Sequence, residues 1–162
     1  MSLLPYTDTK PQGAADFYFA INATFRFMLR RFGDAGFTEW LTALGKEYFA
    51  PANVLWKNGG LPAVAQYWRD FFAAEPGSDV DVCESGDAVE IHVKKCPAIS
   101  HLKKSHREIV PEYCRHCAIL GKARAESAGL SMQLTGGNGS CFHRYGAAGK
   151  FRQNMSDVAE VR

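Results

Sequence analysis

The sequence predicts an α+β fold: a helical first half, then two β-hairpins that form a small antiparallel sheet, with a helix between them. Three observations predict it. Apolar residues recur at helical spacing from Phe17 to Phe72. The pattern changes to strict alternation after Glu75-Pro76-Gly77-Ser78. The alternation returns around the turn Gly136-Gly137-Asn138-Gly139. A chain of 162 residues, 46% of them apolar, has the size and composition of one domain with one core. The ends, residues 1–12 and 147–162, carry the weakest pattern and are expected to be poorly ordered.

Phe17, Ile21, Phe25, Met28 and Phe32 line one face of a first helix, which Gly33 stops. Asp34 can cap a second, carrying Phe37, Trp40, Leu41 and Leu44 and ending near Phe49, before Pro51. Gly59-Gly60 interrupts again, and Pro62 suits the first turn of a third helix with Val64, Tyr67, Trp68, Phe71 and Phe72. Val80 and Val82, then Val89, Ile91 and Val93, alternate around Ser85-Gly86-Asp87 as a hairpin that ends at Cys96-Pro97. A short polar stretch containing Leu102 follows, and Pro111 opens a helix reaching Ser127. Leu130, Met132 and Leu134 form one arm of the second hairpin, and Cys141 to Tyr145 the other.

With 19 basic and 17 acidic residues and like charges no more than paired, the chain lacks the clustered basic face of a nucleic-acid binder. No segment approaches a membrane-spanning length, and Met1 to Gln12 lacks the pattern of a signal peptide. A cytoplasmic protein is therefore expected, with a small molecule as its partner and no nucleic acid or membrane. The oligomeric state is not set by any of these features. In a reducing compartment its five cysteines should be thiols, thiolates or metal ligands.

The chemistry-bearing residues concentrate between Cys96 and His143. Cys114 and Cys117, three apart on a helix, share a face, with His116 rotated away from it. Cys141, His143 and Tyr145, two apart on a strand, also share a face. If the helix packs over the sheet, these faces and Cys96 can converge into a thiol-rich pocket. Each cysteine alone reads first as a small core residue, Cys83 entirely so. A single C-x-x-C is half of a structural zinc signature. His92 falls on the polar face of its strand, and His101 and His106 lie in a basic segment, so all three read as solvated surface. Glu108 and Glu112 near Pro111 suit a helix N-terminus.

The run Pro111-Glu112-Tyr113-Cys114-Arg115-His116-Cys117, the Cys96-Pro97 pair and the ending Gly139-Ser140-Cys141-Phe142-His143-Arg144-Tyr145 resemble the L-2-amino-thiazoline-4-carboxylic acid hydrolase family, bacterial proteins with a cysteine-bearing C-terminal half. The ending also resembles the ligand-binding domain related to 4-vinyl reductases, where cysteines ligate zinc. The first resemblance implies a hydrolase acting on carbon–nitrogen bonds of a small cyclic amidine or amide. Cys117 or Cys141 would be the nucleophile, His143 or His116 the general base, and Arg144 or Arg115 the anchor of the substrate carboxylate. The second implies a binding module without catalysis, in which Cys96, Cys114, Cys117 and Cys141 hold a zinc ion. The family's pattern has an acidic residue after the helix cysteine, where Ala118 stands here.

Overall fold

The computed structural model of the protein describes residues 17–75 and 77–162. Its first half is helical. Helix α1 (Phe17–Ala43) is broken at Gly33, whose positive φ of 66° ends the first helical segment where the sequence places the stop. A π-helical turn, Leu44–Tyr48, leads into α2 (Ala50–Ala74), which is broken in the same way at Gly60. Among the described residues no helix is long and apolar enough to cross a membrane.

Strands β1 (Asp79–Ser85) and β2 (Ala88–Lys95) form the expected hairpin, with Val82 opposite Ile91. Val89, Ile91 and Val93 face inward and are buried, while His92 and Lys94 point to solvent. The segment after Cys96 is a helix, α3 (Pro97–Lys104), where the sequence suggested only a polar stretch. Pro97 occupies its first turn, and Ala98, Ile99 and Leu102 bury one face, a pattern too short to register as periodic. A 3₁₀ turn at Pro111–Cys114 runs into α4 (Arg115–Ser127).

The second hairpin, β3 (Leu130–Gly137) and β4 (Ser140–Ala147), is tighter than expected. Its strands pair as far as Gly137 and Ser140, leaving Asn138-Gly139 as a two-residue turn with both φ values positive. The sheet order is β1-β2-β4-β3-β5. The fifth strand, β5 (Val158–Ala159), runs parallel to β3, so the sheet is mixed rather than a four-stranded antiparallel one.

That strand corrects the expectation of a weakly ordered C-terminal end. Val158 and Val161 are buried, the Val161 N–H donates to the Pro111 carbonyl at 2.9 Å, and the Gln153 side chain pairs with both backbone groups of Leu134. A few apolar contacts and edge hydrogen bonds suffice to dock a segment with no periodicity of its own. The expectation for residues 1–12 lies outside the described residues.

Two apolar clusters result. One lies between the inner face of the sheet, α2 and α4, around Trp56, Val64, Ile91, Leu134 and Tyr145. The other lies between α1, α3 and α4, around Phe25, Phe37, Leu41, Ile99 and Tyr113. Cys96, Cys114 and Met155 pack against both and mark the seam.

Gly137 is the point on which β5 docking depends. A Cβ there would stand 2.4 Å from the Ala159 carbonyl oxygen, and its φ of 149° disfavours a side chain. Gly137→Ala is expected to cost roughly 2–4 kcal/mol and to free the C-terminal segment. Urea unfolding with limited proteolysis checks this; an unchanged midpoint with a protected tail would refute it.

Candidate functional site

Four of the five cysteines pack against the sheet-side cluster, Cys96 and Cys114 at its seam with the other, and each is held by a different element. Cys96 sits at the end of β2, its backbone N–H bonded to the Gly139 carbonyl at 2.8 Å, and its sulfur receives the amides of Ala98 and Ile99 at the start of α3. Cys114 closes the 3₁₀ turn, and its sulfur accepts the Asn138 amide at 3.3 Å. Cys117 lies one turn further along, on α4. Cys141 stands on β4 between Val93 and Gly136. Cys117 raises the pKa of Cys96, Cys114 and Cys141 by its charge, and Cys96 and Cys114 raise that of Cys141, which places these thiols in one neighbourhood. Cys83 is exposed on β1 and takes no part.

Two imidazoles complete the group. His143, 4% exposed, places Nε2 3.2 Å from the Cys141 sulfur. His116 was expected to turn away, yet its Nε2 is 3.3 Å from the Cys117 sulfur, because its ring folds back between Phe25 and Tyr113. His116 Nδ1 pairs with the Tyr113 carbonyl; a backbone carbonyl only accepts, so the proton sits on Nδ1 and Nε2 is free to accept from the thiol. His143 Nδ1 is buried without a partner.

Burial sets the charge state. It pushes Cys96 and Cys117 up to about 12, Cys114 to about 11 and Cys141 higher still, against an ordinary 9.0. The amides aimed at Cys96 and Cys114 oppose this but do not overcome it. Burial also lowers both His116 and His143 to about 4. The resting cluster is therefore neutral, thiol beside imidazole. The cationic neighbour that a nucleophilic Cys117 or Cys141 calls for is not supplied by the surrounding side chains.

The zinc set fares differently from the cluster itself. Among the described residues no three of His, Cys, Asp or Glu are arranged to hold a metal ion. The sulfurs of Cys96 and Cys114 meet backbone amides, and those of Cys117 and Cys141 meet imidazoles.

Neither arginine proposed as a carboxylate anchor reaches the thiols. Arg115 pairs with Asp34 at 3.3 Å. Arg144 lies on the opposite face of the sheet, bonded to Gln133 at 2.7 Å and stacked near Phe151. The strand alternation that turns Cys141 and His143 inward turns Arg144 outward. The arginine that does lie inward is Arg124, 1% exposed on α4, which the sequence reading passed over. The available signal was its spacing: Cys117, Gly121 and Arg124 fall at i, i+4 and i+7, one helical face.

Among the other histidines, His92 is exposed and packs edge-on against Phe142, with ring centroids 4.3 Å apart. It borders a shallow groove of about 270 Å³ on the open face, lined also by Lys94, Thr135, Ser140 and Cys141. His106 is exposed, while His101 is partly buried against Phe19 rather than fully solvated.

Two outcomes are expected. Below pH 6.5 the unfolded chain binds protons that His116 and His143 refuse until about 4, so stability falls on acidification. Above about 9 the unfolded thiols ionise while the folded ones do not, so stability falls again. Urea titrations should show a plateau between these limits and a loss on the order of a few kcal/mol between pH 6.5 and 4, reduced in His143→Gln. A thiol reagent near neutral pH should modify Cys83 first and the other four, half-buried and held as thiols, far more slowly until unfolding; a second fast thiol would contradict the protected cluster. Comparison with protein-family models, curated proteins and solved structures finds no match, so the family resemblance rests on the quoted motifs alone.

Proposed function

We propose that the protein is a hydrolase that opens a small cyclic amidine or amide of the 2-amino-thiazoline-4-carboxylate type, with Cys141 as nucleophile and His143 as its base. The observation that carries the reading is the 3.2 Å approach of the Cys141 sulfur to His143 Nε2 within a buried cluster of thiols. Cys141 is preferred to Cys117 because its base, His143, stands two residues along on the same inward face of one strand, so the sheet holds both groups in register.

The resting pair is neutral, so substrate must supply the positive charge that favours a thiolate. A protonated amidine does so. As it settles against the thiols, the Cys141 proton passes to His143 Nε2 and the sulfur attacks the carbon of the C=N bond, whose π electrons move to nitrogen. The imidazolium returns its proton to the ring atom that leaves, and the ring opens. Water then adds to the thio-linked carbon and expels the Cys141 thiol, consuming one water overall and leaving a carbonyl at the attacked carbon. The low basicity of His143 suits the second step, since its imidazolium is a strong acid toward a poor leaving group.

Cys141→Ser and His143→Gln are each expected to lower ring opening of 2-amino-thiazoline-4-carboxylate by at least ~10²-fold. Cys83→Ser should leave it unchanged. Turnover followed by the appearance of product, with circular dichroism to confirm folding, tests this; full activity in both the Cys141 and Cys117 serine variants would dismiss the thiol mechanism.

A further inference from the structure

The geometry points to a second, buried feature: a binding site for a small planar monoanion, a carboxylate, built around Arg124 and independent of the hydrolase reading. The Arg124 guanidinium is 1% exposed, and among the described residues no carboxylate pairs with it. It lies inside an aromatic box, its carbon 3.9 Å from the ring centre of Trp56, 4.4 Å from Phe49, 4.5 Å from Tyr67 and 6.0 Å from Trp68. Its Nε donates to Asn53 Oδ1 at 3.3 Å, and Asn53 is fixed in turn by the Gly45 carbonyl at 2.8 Å. The charge is thus held in place but not neutralised.

The groups around it share the same deficit. Arg124 Nη2, Trp56 Nε1, Trp68 Nε1 and Tyr145 Oη are all buried and all lack a hydrogen-bond partner. Arginine and tryptophan nitrogens only donate, so three of these four cannot satisfy one another. The Trp68 indole lies close to the Tyr145 hydroxyl without the alignment of a proper bond. The rings crowd together, Trp56 to Tyr145 at 5.6 Å and Trp56 to Trp68 at 6.5 Å. Aromatic faces stabilise a cation but accept hydrogen bonds poorly. A cluster with one uncompensated positive charge and several orphaned donors is complementary to an acceptor bearing one negative charge.

The shape of the donors narrows the class. A guanidinium fork matches a carboxylate bidentately, and a flat aromatic enclosure suits a planar, weakly hydrated anion better than a tetrahedral dianion. His143 stands at the edge of the box, 6.2 Å from Trp68, with its unpartnered Nδ1 buried. The same residue touches Cys141 through Nε2.

Acetate is the probe. Indole N–H resonances of Trp56 and Trp68 are followed by NMR during titration with sodium acetate against sodium chloride at constant ionic strength, with Trp40, which packs in the other cluster, as internal control. Expected are saturable shifts at Trp56 and Trp68 with Trp40 still, at least ~10-fold weaker apparent affinity in Arg124→Lys, and no response in Arg124→Met. Sodium phosphate should produce no saturable shift. Absence of saturation in the wild-type protein overturns the proposal, as does an equal response in Arg124→Met or a stronger response to phosphate. Should Arg124→Met fail to fold, Trp56→Phe, which keeps a ring and removes a donor, replaces it and must weaken acetate binding. Cys141→Ser retains the acetate shifts and loses turnover if both readings hold; retained shifts with no turnover in the wild type would remove the hydrolase alone.

Discussion

Helix α4 lies against the β3–β4 hairpin so closely that a side chain at Gly121 would have to displace the end of Met132, and the candidate chemistry depends on that approach. A Cβ at Gly121 would meet the end of Met132 at 2.8 Å and the Tyr145 hydroxyl at 3.5 Å. One face of the helix then carries Cys117, Gly121 and Arg124 in succession. The glycine admits the sheet in the middle, and the flanking residues meet the two ends of what the sheet presents: Cys141 and His143 near the thiols, Tyr145 near the guanidinium. About 10 Å of helix axis separates Cys117 from Arg124, the rise of seven residues.

The two ends solve the problem of burial differently. Around the thiols, desolvation is relieved by neutrality, since sulfur keeps its proton and imidazole declines one. Around Arg124 that route is closed, because a guanidinium does not give up its proton in a protein. The aromatic box offsets part of the cost, and the Asn53 oxygen another part. A buried charge left without a counter-ion is a standing destabilisation, tolerated where function requires it. The Trp56 and Trp68 indoles add to that cost, since each buries an N–H without a partner.

The cluster is held by turns as much as by regular elements. Cys114 takes its hydrogen bond from the Asn138-Gly139 hairpin turn, and Cys96 is tied by its own amide to the carbonyl of that same turn. The turn in turn lies beside β5, whose docking requires Gly137. The C-terminal segment therefore braces the loop that positions two of the four thiols, although it contributes no thiol itself.

Helical spacing from Phe17 to Phe72, the breaks at Gly33 and Gly60, and both hairpins were legible in the sequence, because each is a local property of a few consecutive residues and their backbone preferences. The faces carrying Cys114 with Cys117 and Cys141 with His143 were legible too, since spacings of three on a helix and two on a strand assign faces, but whether those faces meet depended on how the helix packs on the sheet. Helix α3 and strand β5 were not, being too short to carry a period. Which arginine is buried, that the thiols stay protonated, and that they meet no metal-binding geometry were decided only by tertiary packing. Those properties depend on how much solvent surrounds a group and on what faces it from other elements, and neither is encoded by neighbours along the chain.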